Sequence, residues 1–251
     1  MDVVIEIHAV GSVWVLTLSS GSVNALDVDL LDELALAVND LARSDGAGAL
    51  VVTGAGRAFS AGVDLTHVVA GGADYTDRLI PALSDAFEAL FTYPGPTVAA
   101  VNGAAVAGGC VLACACDRRL ITPGAQMGVT AVRIGVPFPV AAVEVVRYAC
   151  GAHADAVLLG GRSYRGAEAI AAGLAHRVVD GDLVGAAVAE ATELAGIPAD
   201  AYRHTKVQLR APTMARIRES AGLDDEVRRV WGAAETQQRL AAYVERLRRR
   251  D

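Results

Sequence analysis

Between Ala89 and Cys116 the chain carries no charged residue. A run this long and apolar either crosses a membrane or lies at the centre of a globular core. Pro94, Gly95, Pro96, Asn102, Gly103, Gly108 and Gly109 fall inside it, and these would break a lipid-exposed helix. The run therefore reads as a buried strand, "PTVAAVNG", followed by a buried helix rich in small residues, "AGGCVLACACD". No membrane span is expected.

The flanking sequence supplies layers to cover that centre. "VVIEIH" and "VWVLTLS", split by Gly11 and Ser12, predict paired strands. Asp27 or Asp29 can cap a helix whose apolar residues Leu30, Leu31, Leu34, Val38 and Leu41 keep helical spacing. "ALVVTG" predicts a buried strand, Tyr75 to Phe91 a helix with Pro81 early in it, and "RRLITP" and "AQMGV" short extended pieces. Helices follow from Pro139. After "AGIPAD" the tail becomes rich in Arg, Asp and Glu, placing a boundary between a core at 1–195 and a helical region at 196–251. Strand–helix alternation followed by helices points to an α/β fold with a C-terminal helical layer.

A chain of 251 residues buries a substantial core, and a formal charge of −7 argues against nucleic acid as a partner. Cys110, Cys114, Cys116 and Cys150 have no histidine at ligand spacing, so they read as buried small hydrophobes rather than zinc ligands or disulfides. The five histidines show no metal spacing, and no metal is expected. "MDVVIEIHAV" lacks a basic segment ahead of a long apolar one, which predicts no signal peptide and a cytoplasmic protein. "GAGRAFSAG" fits neither the phosphate-binding G-x-x-x-x-G-K-[ST] pattern nor G-x-G-x-x-G.

Two glycine-marked stretches remain: "AFSAGVDL" (58–65) and "NGAAVAGGCVL" (102–112). On residue type alone they serve either to aim backbone N–H groups at one point or simply to make a tight turn and close helix packing. With "NALDVDLLDEL" (24–34) and "AAGLAHRVV" (171–179) they occur in an order and spacing that resembles the enoyl-CoA hydratase/isomerase, or crotonase, family. The resemblance spans residues 1 to 210. It implies a spiral of ββα units, a C-terminal helical trimerisation region giving a homotrimer or a dimer of trimers, and an acyl-CoA thioester substrate. No cofactor is implied beyond the coenzyme A of the substrate itself.

By position, the resemblance assigns an oxyanion hole to the backbone N–H groups of Val63 and Gly108. It assigns coenzyme A contacts, mainly through backbone, to Ala25, Ala61, Val63 and Leu65. A thioester carbonyl gains negative charge as an enolate forms, and prepositioned N–H donors stabilise that charge. The chain then departs from the family. Where hydratases carry two glutamates it has Val111 and Ala131, and where several isomerases carry an aspartate it has Pro139. Standard hydration needs a general acid and base and is not expected. Glu144, among apolar neighbours on the helix after Pro139, is the candidate base for an isomerase-like reaction, although an ordinary helix ion pair with Arg147 explains it without catalysis. His67, Asp74 and Asp77 are lesser candidates. The alternative is a catalytically silent acyl-CoA-binding protein.

Overall fold

The computed structural model describes residues 4–44 and 48–249. β1 (Ile5–Val10) and β2 (Val13–Leu18) form an antiparallel hairpin across Gly11 and Ser12, with Ile5 opposite Leu18 and Val10 opposite Val13. α1 (Val28–Arg43) begins at Asp27, whose carboxylate accepts the Leu30 N–H at 2.8 Å. Leu30, Leu31, Leu34 and Val38 are buried along its inner face.

The chain then winds through three turns of strand, strand and helix. The first is β3 (Ala49–Gly54), β4 (Ala58–Ser60) and α2 (Leu65–Thr92), and the second is β5 (Thr97–Val101), β6 (Ala104–Val106) and α3 (Gly108–Ala115). The third is β7 (Arg118–Ile121), β8 (Gln126–Gly128) and, after a 3-10 turn at Ala131–Ile134, α4 (Val140–Cys150). There follow α5 (Ala154–Gly160), β9 (Ser163–Arg165), α6 (Gly166–Ala171), β10 (Arg177–Val178) and α7 (Leu183–Ala195). The tail is α8 (Ala199–Glu219), α9 (Leu223–Gly232) and α10 (Ala234–Arg248).

The first strand of each turn joins a six-stranded sheet ordered β1-β2-β3-β5-β7-β10, and the second joins a four-stranded sheet ordered β4-β6-β8-β9. All pairings are parallel except β1 with β2 and β8 with β9. This is the ββα spiral of the crotonase fold. The uncharged run lies inside it: β5 and α3 are buried at every position, and no helix among the described residues is long and apolar enough to cross a membrane. The four cysteines are buried and unpaired by disulfides.

Three details differ from the sequence expectation. α2 starts at Leu65, not near Tyr75, because Asp64 caps it, its Oδ1 accepting from the N–H groups of Thr66 (2.8 Å) and His67 (3.3 Å). The helix kinks at Gly72 (φ 58°, ψ −141°), and the adjacent Gly71 and Gly72 mask its first half in the sequence. Pro81 consequently sits well inside the helix. The tail also merges with the spiral, since Val227, Trp231 and Leu240 belong to the main apolar core.

α8 is fastened by charge. Asp117, just after α3, receives hydrogen bonds from Lys206 Nζ (2.8 Å), Arg210 (2.6 Å) and Tyr202 Oη (2.9 Å). Lys206 also donates to the Gly95 carbonyl at 2.8 Å and Arg210 to that of Phe91. Lys206 and Arg210 are 7% and 4% exposed, so this ion cluster is inside the protein rather than on its surface.

Candidate functional site

The two glycine-marked stretches meet at the ends of neighbouring strands. β4 and β6 are paired, with Ala58 opposite Ala104 and Ser60 opposite Ala105, so the chain segments leaving them run side by side. Asn24, itself at φ 52° and fully buried, locks the first stretch in place. Its amide nitrogen donates to the carbonyls of Ala58 (2.9 Å), Ala55 (3.0 Å) and Phe59 (3.3 Å), and its oxygen accepts from Ser20 N. Gly62 is at φ 84°, and a Cβ there would stand 2.7 Å from the Val106 carbonyl and 3.3 Å from Gly108 N. Only glycine allows the two backbones to approach this closely.

The orientation of both N–H groups follows from their neighbours. Leu26 N donates to the Gly62 carbonyl at 2.8 Å and Asp64 N donates to the Leu26 carbonyl at 2.9 Å. Successive amides of an extended segment point to opposite sides, so the Val63 N–H faces away from Leu26. Gly108 is the first residue of α3, where an N–H has no intrahelical acceptor and carries the positive end of the helix dipole. Before it, Ala107 is held at φ 49°, ψ −118°, a conformation that suits glycine far better than alanine. The Ala107 N–H is tied to the Gly128 carbonyl at 2.8 Å. A strained residue anchored in this manner fixes the direction of the next N–H.

Val63 and Gly108 both line a cavity of about 400 Å³. Ala25, Ala61, Val63, Leu65 and Gly108 all lie on its wall, so the structure gathers every residue to which the resemblance assigned backbone contacts. Val111, Ala131 and Pro139 are on the wall as well. The three positions to which the resemblance assigned the family's acids thus line the cavity as hydrocarbon. Leu83 and Phe87 of α2 and Ala142 of α4 extend the same apolar surface.

Glu144 is not on that wall. It is 5% exposed, and its two oxygens receive Arg147 on its own helix and Arg216 from α8, each at 2.6 Å. The carboxylate faces α8, away from the cavity, and serves as an ion pair between helices. Both of its oxygens are thus engaged by arginines, and it is not among the residues lining the cavity. His67 is half exposed, with its Nδ1 3.6 Å from Asp64 Oδ2 and 3.8 Å from Asp27 Oδ2. Asp74 and Asp77 are exposed on α2. None of these three is on the wall.

Among the described residues, the charged residues of the wall are Asp64, engaged in capping α2, and Arg248, exposed and 3.2 Å from Glu245. Thr66, Thr130 and Tyr243 add neutral hydroxyls. Among the described residues no group of three or more His, Cys, Asp or Glu is placed to hold a metal ion.

The sequence reading missed the contribution of the tail. Trp231 of α9 and Tyr243, Val244 and Leu247 of α10 line the cavity, and the Trp231 indole N–H donates to the Pro137 carbonyl at 2.8 Å. The available signal was Leu240, Tyr243, Val244 and Leu247 at helical spacing in an otherwise charged segment, which predicts an inward-facing stripe. Asn24 was visible only as part of "NAL".

A ββα spiral whose first and second glycine turns converge on an apolar cavity defines the crotonase-fold class. Residues 8–250 match the family model described as Enoyl-CoA hydratase/isomerase. A putative enoyl-CoA hydratase of Thermus thermophilus is 40% identical over 197 residues, covering 77% of this chain and 73% of the relative. A crystal structure of an enoyl-CoA hydratase/isomerase from Mycobacterium paratuberculosis superposes with a TM-score of 0.87 at 27% identity, covering 96% of this chain and 99% of that one. Human mitochondrial delta3-delta2-enoyl-CoA isomerase, at 24% identity, shares the fold with a TM-score of 0.92 over 99% of both chains. The chain belongs to the enoyl-CoA hydratase/isomerase family.

Proposed function

We propose that the protein binds an acyl-CoA thioester in this cavity, with the thioester oxygen at the N–H groups of Val63 and Gly108, and that its chemistry runs through the enolate these donors stabilise. The observation that carries the reading is that Val63 and Gly108 line one cavity, beside a strained Ala107 and a Gly62 that admits no side chain. Each donor in such a site is worth about 3 kcal/mol of barrier lowering. The apolar wall strengthens that interaction by excluding competing water.

Isomerase-like action on an enoyl-CoA is one reaction through that intermediate. It needs a group that removes a proton and returns it. With Glu144 turned toward α8, Asp64 is the carboxylate of the wall, and its Oδ1 is occupied by two backbone donors. Hydrocarbon at Val111, Ala131 and Pro139 supports a second reading, an acyl-CoA-binding protein without turnover.

Calorimetry with butyryl-CoA, followed by absorbance at the conjugated-thioester band, tests both readings. Saturable micromolar binding is expected. Appearance of the conjugated product from 3-enoyl-CoA supports isomerase-like turnover, and a flat trace despite binding supports the second reading. Failure to bind any acyl-CoA contradicts both.

A further inference from the structure

Where α8 meets the end of α2, positive charge exceeds negative. Lys206 and Arg210 are both buried, and among the described residues the one carboxylate they reach is Asp117. Their other acceptors, the carbonyls of Gly95 and Phe91, carry no net charge. Arg210 Nε is buried as well and has no acceptor among the described residues. Both cations line a second cavity, of about 320 Å³, between the end of α2 and α8. Arg203 and Arg218 stand on the same wall, and no carboxylate does among the described residues. Arg203 pairs with the exposed Asp200 at 2.8 Å, and Glu88 is the carboxyl that Arg218 approaches. Four cations thus share Asp117, Asp200 and Glu88, which leaves one positive charge in excess.

The rest of the wall is largely hydrocarbon, from Phe91, Val207, Ala211 and Met214, and the Arg210 guanidinium lies 4.2 Å from the Phe91 ring centre. We infer that this cavity binds an amphipathic carboxylate, a short- or medium-chain fatty acid anion, whose head group balances Lys206 and Arg210 and whose chain covers those apolar side chains. The ligand class follows from what each alternative leaves undone. An inorganic anion pairs the charge but leaves the hydrocarbon wet, and a neutral alcohol covers the hydrocarbon but leaves the buried charge unpaired. A polyphosphate brings more negative charge than the single excess. One carboxylate matches that excess, and guanidinium and ammonium groups form their strongest hydrogen bonds with such a group. The cavity shares no lining residue with the one beside Val63 and Gly108, so a carboxylate held here leaves acyl-CoA binding free.

The test is calorimetry of the full chain with octanoate, inorganic phosphate and 1-hexanol. Octanoate should bind saturably, and the other two at least about 10-fold more weakly, the equivalent of one charged hydrogen bond. Side-chain NMR of Lys206 then locates the head group. Burial lowers this ammonium to about 8 in the free protein, and a carboxylate beside it should move the titration upward, toward 10.5. Ala211→Trp, at an exposed position of α8, fills the cavity without touching the ion cluster. It should abolish octanoate binding while keeping the wild-type midpoint in urea. Absence of octanoate binding, an unchanged Lys206 titration, phosphate binding as tight as octanoate, or octanoate binding that survives Ala211→Trp would each overturn the site. None of these results bears on acyl-CoA, whose binding is read separately with butyryl-CoA.

Discussion

At the scale of single residues, the site is a matter of backbone conformation. Among the described residues, Ala107 is one of two non-glycine residues with positive φ, the other being Asn24. Such strain costs on the order of 1–3 kcal/mol and survives only where surrounding contacts enforce it. Replacing Ala107 with glycine should stabilise the protein by about 1 kcal/mol in urea unfolding, after allowing for the extra freedom of the unfolded chain; equal or lower stability would show that the residue is unstrained. Val63 and Gly108 were assigned by the resemblance, and the glycine patterns marked the two turns that the pairing of β4 with β6 brings side by side. The surroundings of Glu144 were not legible. Helical spacing revealed its pairing with Arg147, but the second partner, Arg216, comes from α8 and is brought there only by the fold. A carboxylate's environment is set by tertiary neighbours, which periodicity does not record.

At the scale of elements, α8 shows how a charged helix is fixed to an apolar core. Burial alone would raise the Asp117 carboxyl, but Lys206 and Arg210 outweigh it and hold the group below its ordinary value of 3.8. Burial likewise is the largest influence on Lys206 and lowers its ammonium to about 8, because one carboxylate is shared with a second cation. The signs differ with pH. Stability from Asp117 is present above 3.8 and is lost as pH falls through its lower folded value, whereas the Lys206 contribution rises with pH between about 8 and 10.5. Asp117→Asn leaves two buried cations unpaired and should cost about 3–5 kcal/mol at neutral pH. Urea unfolding across a pH series should also show a flatter acid limb in the variant; an unchanged acid limb would contradict the assignment. The sequence marked α8 as a separate, charged region. It did not show that Asp117, Lys206 and Arg210 meet inside, nor that α9 and α10 supply a wall of the cavity.

At the scale of the whole molecule, the spiral explains why residues far apart in sequence act together. Each ββα turn repeats one geometry, so the turn after β4 and the turn after β6 fall side by side at the same edge of the four-stranded sheet. The fold class was legible because strands, glycine turns and helices succeed one another in a recognisable order. The repeat itself was hidden, since its three turns share geometry rather than residue identity. α2 shows the same limit, its kink at Gly72 concealing a helix that starts at Asp64. The central claim is that the Val63 and Gly108 N–H groups hold a thioester oxygen. Infrared difference spectroscopy of butyryl-CoA labelled with 13C at the thioester carbonyl tests it most directly. The account predicts that the carbonyl stretch moves to lower frequency on binding, as two donors polarise the bond. A bound thioester whose carbonyl frequency matches that in free solution would contradict it.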